Sequence, residues 1–274
     1  MQKEIFKKEM VSVIICFYER TQHLFRCLDS LEFNRDYFDE VVISDDGSSH
    51  EASIAVQNKM TSYSYPIHYA HRNSKGFEVA AARNNGIRHA KGDYLIFFDC
   101  DFLVLAGTVK VHVDNAKSNR FVVGHCKYLD KTSTSTIFTY DSLLATEINC
   151  LYHASDDKPL MKMQKRFIRR NILMKLKLAS YRKQSLGGHF SIFRNDIEAI
   201  NGYDENYKGW GGEDEDLGRR LVLSGTHSIP LQTKAKVLHL WHKKEIGDNH
   251  WRQGPNIDYF ERKKLTFFCS NGLL

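Results

Sequence analysis

The chain has 274 residues, 42% apolar and 26% charged, and its 39 Lys and Arg against 33 Asp and Glu give a formal charge of +6. That is the makeup of an ordinary soluble globular protein, long enough to bury a real core as one large domain or two small ones. No apolar run approaches the roughly 18–20 residues that span a bilayer. The charged start, Met1 to Lys8, lacks the apolar stretch of a signal peptide, and six scattered cysteines without CxxC spacing argue against a disulfide framework or a zinc site. A reduced, cytoplasmic setting is therefore expected.

Val11 to Phe17 reads as a buried strand, and Thr21 is placed to cap a helix carrying Leu24, Cys27, Leu28 and Leu31 on one face. Val41 to Ile43 is the next strand, ending in the polar turn Ser44-Asp45-Asp46-Gly47-Ser48-Ser49, and Ile67 to Ala70 is a short third. Phe77 to Ala90 is an alanine-rich helix stopped by Gly92, and Tyr94 to Phe98 is a fourth buried strand running into Asp99. Strands alternating with helices imply a mainly parallel α/β sheet covered by helices, in which ligands gather beyond the carboxyl ends of the strands. The second half is less regular. Phe121 to Gly124 reads as a strand, followed by the Ser/Thr-rich Lys131 to Thr136. Between Lys158 and Lys183 stand ten Lys or Arg and no acid, interleaved with large apolar residues. Phe190 to Phe193 is a strand, Asn195 is placed to cap a helix through Ile200, Glu213 to Leu223 reads as a helix with an acid-rich N-terminus, and Val237 to His242 as a final strand.

Asp99-Cys100-Asp101 sets two carboxylates at alternate positions of an extended segment, where both can face one ligand, and hard oxygen donors suit Mg²⁺ or Mn²⁺. A plain strand exit would also place Asp there. Asp45 and Asp46 can accept hydrogen bonds from a base or ribose, or serve an Asx turn. Arg83, within small residues from Gly76 to Gly86, suits a diphosphate or a base, or a surface role. His239 and His242 flank Leu240-Trp241 and suit Mn²⁺ or Zn²⁺, although a lone His is more often structural. Gly209-Trp210-Gly211-Gly212-Glu213-Asp214 joins glycines that permit close approach, an indole face and carboxylates able to take a proton. Neither a Walker A loop, a GxGxxG nor a nucleophile elbow is present.

Together these residues resemble the glycosyltransferases of the GT-A fold. The first half is similar to glycosyltransferase family 2 in Val11 to Arg20, with Cys16 and Glu19 where that pattern has Pro and Asn, in Val42 to Ser49, in Ala82 to Gly86, and in Asp99 to Asp101, the DXD motif. The second half resembles the β-1,4-galactosyltransferases and the polypeptide N-acetylgalactosaminyltransferases in Leu186-Gly187-Gly188-His189-Phe190-Ser191, Ile200 to Tyr203 and Trp210 to Asp214. The resemblance implies one GT-A catalytic domain: a nucleotide-sugar half over about 9–130, a basic variable segment over about 131–185 and an acceptor half over about 186–274. It implies a nucleotide-sugar site including Cys16, Tyr18, Glu19, Asp45, Asp46, Arg83, Asp99, Cys100, Gly187, Gly188, Trp210 and Gly212. It also implies Mn²⁺ (or Mg²⁺) on Asp101 and His242, with His239 as the fallback, Glu213 on a sugar hydroxyl and Asp214 as the base of an inverting reaction.

The expected activity is transfer of a hexose from a UDP-sugar to a glycan or lipid-linked glycan acceptor, in synthesis of a bacterial surface polysaccharide. Water would be excluded by the Gly209 segment and the Gly247 to Gly254 loop closing over the donor. The alternatives are a nucleotidyltransferase and a non-catalytic nucleotide- or carbohydrate-binding protein on a related fold. The basic segment reads either as a solvated amphipathic helix or as peripheral contact with an anionic membrane face or acceptor chain; no nucleic-acid module accompanies it.

Overall fold

The computed structural model describes residues 9–74, 76–181, 186, 188–243 and 251–274. In chain order its elements are β1 (Val11–Phe17), α1 (Thr21–Leu31), β2 (Glu40–Asp45), α2 (His50–Met60), β3 (Ile67–His71), α3 (Val79–His89), β4 (Tyr94–Asp99), β5 (Phe102–Val104), α4 (Thr108–Asp114), β6 (Arg120–Tyr128), α5 (Lys131–Phe138), α6 (Ala145–His153), α7 (Lys158–Lys175), β7 (His189–Phe193), α8 (Arg194–Glu198), α9 (Glu213–Leu223), β8 (His227–Pro230), β9 (Lys236–His239) and α10 (Ile257–Phe260). The strands form a mixed, mainly parallel sheet in the order β3-β2-β1-β4-β7-β6-β9-β5, with β8 beside β6. The antiparallel pairs are β4 with β7, β6 with β7, and β5 with β9.

β1 and β4 are almost wholly apolar because helices cover both faces. Val11, Val13, Ile15 and Phe17 of β1 pack with Leu24, Cys27, Leu28 and Leu31 of α1, while Ile14 points the other way, to Ala80 and Ile87 of α3. On that second face Gly86 is required by close packing: a Cβ there would sit 2.5 Å from Ile14 Cγ2. Where β4 meets β7, Phe97 and Phe190 lie opposite each other with ring centroids 4.5 Å apart.

Register decides where chemistry can happen. Cys16 of β1 pairs with Ser44 of β2 and Asp99 of β4, and Phe17 pairs with Asp45, so the loops leaving β1, β2 and β4 open at one sheet edge. This is the carboxyl edge, where α/β sheets collect ligands. At the far side of the sheet, β5 leaves the same acid triplet and pairs with β9, with Phe102 opposite His239.

Two local expectations are corrected. Thr21 and Asn195 lie within the first turns of α1 and α8 instead of capping them, and neither helix has a side-chain cap. The Ser/Thr-rich segment after β6 is helix α5, since Asp130 accepts the Ser133 amide at 2.7 Å and so caps it.

Candidate active site

The acid triplet divides by direction. The Cys100 side chain joins the core on the α1 face, while Asp99 and Asp101 turn to the rim. Asp101 is buried and faces three basic groups: Arg20 Nη1 at 3.2 Å, His242 Nε2 at 3.2 Å and His239 Nε2 at 3.6 Å. The β5–β9 pairing sets this up, and the Leu240 amide donates to the Asp101 carbonyl at 2.8 Å. Burial pushes the Asp101 carboxyl up, but the two imidazoles and Arg20 outweigh it and hold it at about 2. The same carboxylate raises His242 above the ordinary imidazole range, against its burial.

The residues present fit a divalent cation. His239 Nδ1 lies 2.7 Å from the Leu240 carbonyl and His242 Nδ1 lies 3.0 Å from the Lys243 carbonyl, so each Nδ1 carries its proton there and each Nε2 is left toward Asp101. Asp101 Oδ1 is buried and accepts no hydrogen bond among the described residues. One carboxylate and two imidazole donor atoms, all within 4.8 Å of one another, are a set that Mn²⁺ or Zn²⁺ accepts. Both histidines belong to that cluster of donor atoms with Asp101.

Arg83 links this half to the other. Its guanidinium is buried and donates to Asp99 Oδ1 at 3.1 Å through one nitrogen and to Asp214 Oδ1 through the other, with Glu213 Oε1 3.9 Å away. It also lies over the Tyr203 ring at 5.3 Å, and the Tyr203 hydroxyl donates to Asp214 at 3.1 Å. Next along α3, Asn84 exchanges two 2.9 Å hydrogen bonds with the Tyr203 backbone, fixing the loop that leads to α9. Burial pushes Asp99 up, countered by Arg83. Cys16, half-buried at the same edge, is pushed up to about 12 by burial and is no nucleophile at neutral pH.

Glu213 and Asp214 open α9 but differ in environment. Asp214 retains 26% side-chain exposure and Glu213 only 3%. Glu213 Oε2 accepts the Gly211 amide at 2.7 Å. Burial first, then the Asp214 charge, push the Glu213 carboxyl up to about 8 against the pull of Arg83. A carboxyl raised on folding contributes stability that is full below the ordinary glutamate range and is lost as pH rises through about 8. Wild-type stability should therefore fall across the neutral range by up to about 1.4 kcal/mol per pH unit relative to Glu213→Gln, which mimics the protonated acid. Thermal melts of the two proteins against pH check this; parallel curves would contradict it.

Other expected contacts are reassigned. Asp45 is fully buried and saturated: it accepts the Ser48 amide at 2.9 Å, the Ser53 hydroxyl, the Tyr69 hydroxyl and His71 Nδ1 at 2.9 Å. Burial raises it, but those donors prevail and hold it below its ordinary value. Asp46 accepts Arg72 and the Glu78 amide, and burial pushes it up. Both acids shape the loop from inside, tying down Tyr69, His71 and Arg72. Glu19 accepts the amide and hydroxyl of Ser49, the N-cap of α2, so it orders a helix start. Tyr18 packs half-buried beside Phe77, with centroids 5.8 Å apart. Gly212 has φ +92°, and a Cβ would meet Tyr207 at 3.0 Å and Trp251 at 3.1 Å; at Gly211 a Cβ would lie 2.4 Å from Trp251 Cβ. Those glycines make room for Trp251, whereas the adjacent Trp210 is 44% exposed. Gly188 precedes β7 beside His125 and Cys126; Gly187, and 247–250 of the expected closing loop, lie outside the described residues.

The missed residues are Arg20, Tyr203 and Trp251. Arg20 ends the first-strand motif, Tyr203 ends the Ile200 to Tyr203 motif and Trp251 lies in the Gly247 to Gly254 loop, so each stands in a segment the sequence marks without a role attached to it.

A mainly parallel sheet with this carboxyl-edge rim is the GT-A architecture. The chain belongs to glycosyl transferase family 2, whose profile matches residues 12–195, and residues 169–243 match the profile described as N-terminal domain of galactosyltransferase. It is 25% identical over 241 residues to a chondroitin synthase from Pasteurella multocida, covering 81% of this chain and 24% of that one. Among solved structures it is similar to a mannosyltransferase from Pyrobaculum calidifontis in complex with GDP-Man and Mn²⁺ (TM-score 0.56, 17% identity, 88% of this chain and 59% of that one). It is likewise similar to GalNAc-T7 with UDP, GalNAc and Mn²⁺ (TM-score 0.57, 17% identity, 85% and 44%). The chain thus spans about a quarter of the synthase and less than two thirds of either solved chain. Among the described residues no helix is long and apolar enough to cross a membrane.

Proposed function

We propose that this chain is an inverting, metal-dependent transferase that moves a hexose from a UDP-sugar to a hydroxyl of a glycan or lipid-linked glycan. The observation that carries this reading is the Arg83 bridge, which leaves the base candidate Asp214 one guanidinium away from the acid triplet. A binding protein would have no need to hold a partly exposed carboxylate at that point. The named complexes of the similar structures, one with GDP-Man and one with UDP and GalNAc, support a nucleotide-sugar donor and Mn²⁺.

Asp101, His239 and His242 would hold the cation, which when bound supplies positive charge against the diphosphate leaving group. Arg20, beside Asp101, adds a second positive charge there. Trp210 offers its indole face to a sugar ring, and Glu213 at the α9 N-terminus holds a sugar hydroxyl. Asp214 takes the proton of the acceptor hydroxyl as its oxygen bonds the anomeric carbon, on the face opposite the departing diphosphate. Arg83 and Tyr203 hold Asp214 in one rotamer for that task.

The test is product release from a panel of UDP-hexoses, UDP-N-acetylhexosamines and GDP-mannose, with Mn²⁺ and with EDTA. Slow UDP release from at least one UDP-hexose, lost in EDTA, is expected. Pyrophosphate chemistry with UTP would instead identify a nucleotidyltransferase, and no turnover of any donor a binding protein.

A further inference from the structure

Helix α7 keeps most of its surface in water, which its sequence does not favour. It docks by one narrow face: Leu160 and Phe167 are buried, Asn171 donates to the Ser228 carbonyl at 2.8 Å and Gln164 accepts the Thr233 amide at 3.0 Å. The orientation is thereby fixed. About a quarter-turn round from that face, Met161, Ile168 and Ile172 recur at i, i+7 and i+11, one line along a helix, with Leu176 and Leu178 just past its C-terminus. These five are 43–72% exposed. Beside them, also exposed, stand Lys162, Lys165, Arg166, Arg169, Lys175 and Lys177, with no acid anywhere from Lys158 to Tyr181.

We propose that this face of α7 is a docking surface for an anionic lipid bilayer. Cationic side chains would meet the headgroups while the aliphatic line enters the boundary below them, the arrangement of an interfacial helix. A polyanionic glycan would satisfy the charges alone and leave the aliphatic line in water, which is why the bilayer is favoured. The proposal is independent of the proposed activity, because binding is measured with neither donor nor acceptor present.

The experiment is flotation of the full chain with vesicles of phosphatidylcholine, or of phosphatidylcholine mixed equally with phosphatidylglycerol. Two triple variants accompany it: Lys165→Gln/Arg166→Gln/Arg169→Gln and Met161→Ser/Ile168→Ser/Ile172→Ser. The wild type should float with the mixed vesicles only, less so as salt rises. The charge variant should partition about a hundredfold more weakly, from about a fivefold effect for each of the three basic residues. The apolar variant should also lose binding while melting as the wild type does. Wild-type binding by the apolar variant, equal binding to neutral vesicles, or no vesicle binding at all overturns the proposal; retention of the apolar variant on a heparin column together with that first result would assign the face to a polyanion.

Discussion

Asp214→Asn is expected to bind UDP as the wild type does and to lose transfer by on the order of 10²–10⁴-fold, the worth of a positioned general base. The substitution is well suited to the geometry. Asp214 Oδ1 already accepts from Arg83 and from the Tyr203 hydroxyl at 3.1 Å, and an asparagine oxygen can accept both. Fold and bridge persist, and only the proton acceptor is lost. Initial rates with the preferred donor and acceptor, beside UDP titrations, separate the two effects. Near-wild-type turnover would remove Asp214 as the base and leave the proton to another group at the rim.

The fold was legible where burial is two-sided. Val11 to Phe17, interrupted by Ser12, and Tyr94 to Phe98 are apolar runs because helices cover both sheet faces, and both are strands with nearly those bounds. Glu213 to Leu223 is a helix with the predicted limits, its four leading acids at the positive end of the helix dipole. The short elements were hidden by context. β5 is three residues long and merges in sequence with the acid triplet that precedes it, and α5 is a helix only because Asp130 caps a Ser/Thr-rich stretch.

The site was legible as residues but not as connections. Asp101, both histidines and Asp214 stand out by type and position. That His239 would come beside Asp101 depends on the pairing of β5 with β9, and Arg83 reaches acids 16 and 131 residues away. Both are tertiary facts with no local trace. The glycines before α9 were read as room for a ligand, yet their lost side chains accommodate Trp251, a residue beyond the last strand. Asp45 likewise looked ready for a nucleobase, although neighbouring hydroxyls and His71 already occupy its oxygens.

Asp101→Ala carries the second large effect. It removes the one carboxylate facing both imidazoles, and with it the charge that neutralises a cation there. Loss of a direct ligand should exceed the roughly 10–100-fold cost of disturbing an outer partner, so metal-dependent UDP affinity should fall by about a hundredfold or more. Asp101 is buried, so Asp101→Asn, which keeps the shape, controls for damage to the fold. The most direct test of a shared metal and nucleotide site is titration calorimetry of UDP into the wild type and both variants, with Mn²⁺ and with EDTA. Tight binding by the wild type in Mn²⁺ alone, collapsing in both variants to the EDTA level, is the predicted result. Equal UDP affinity in all three proteins, with or without Mn²⁺, would contradict it.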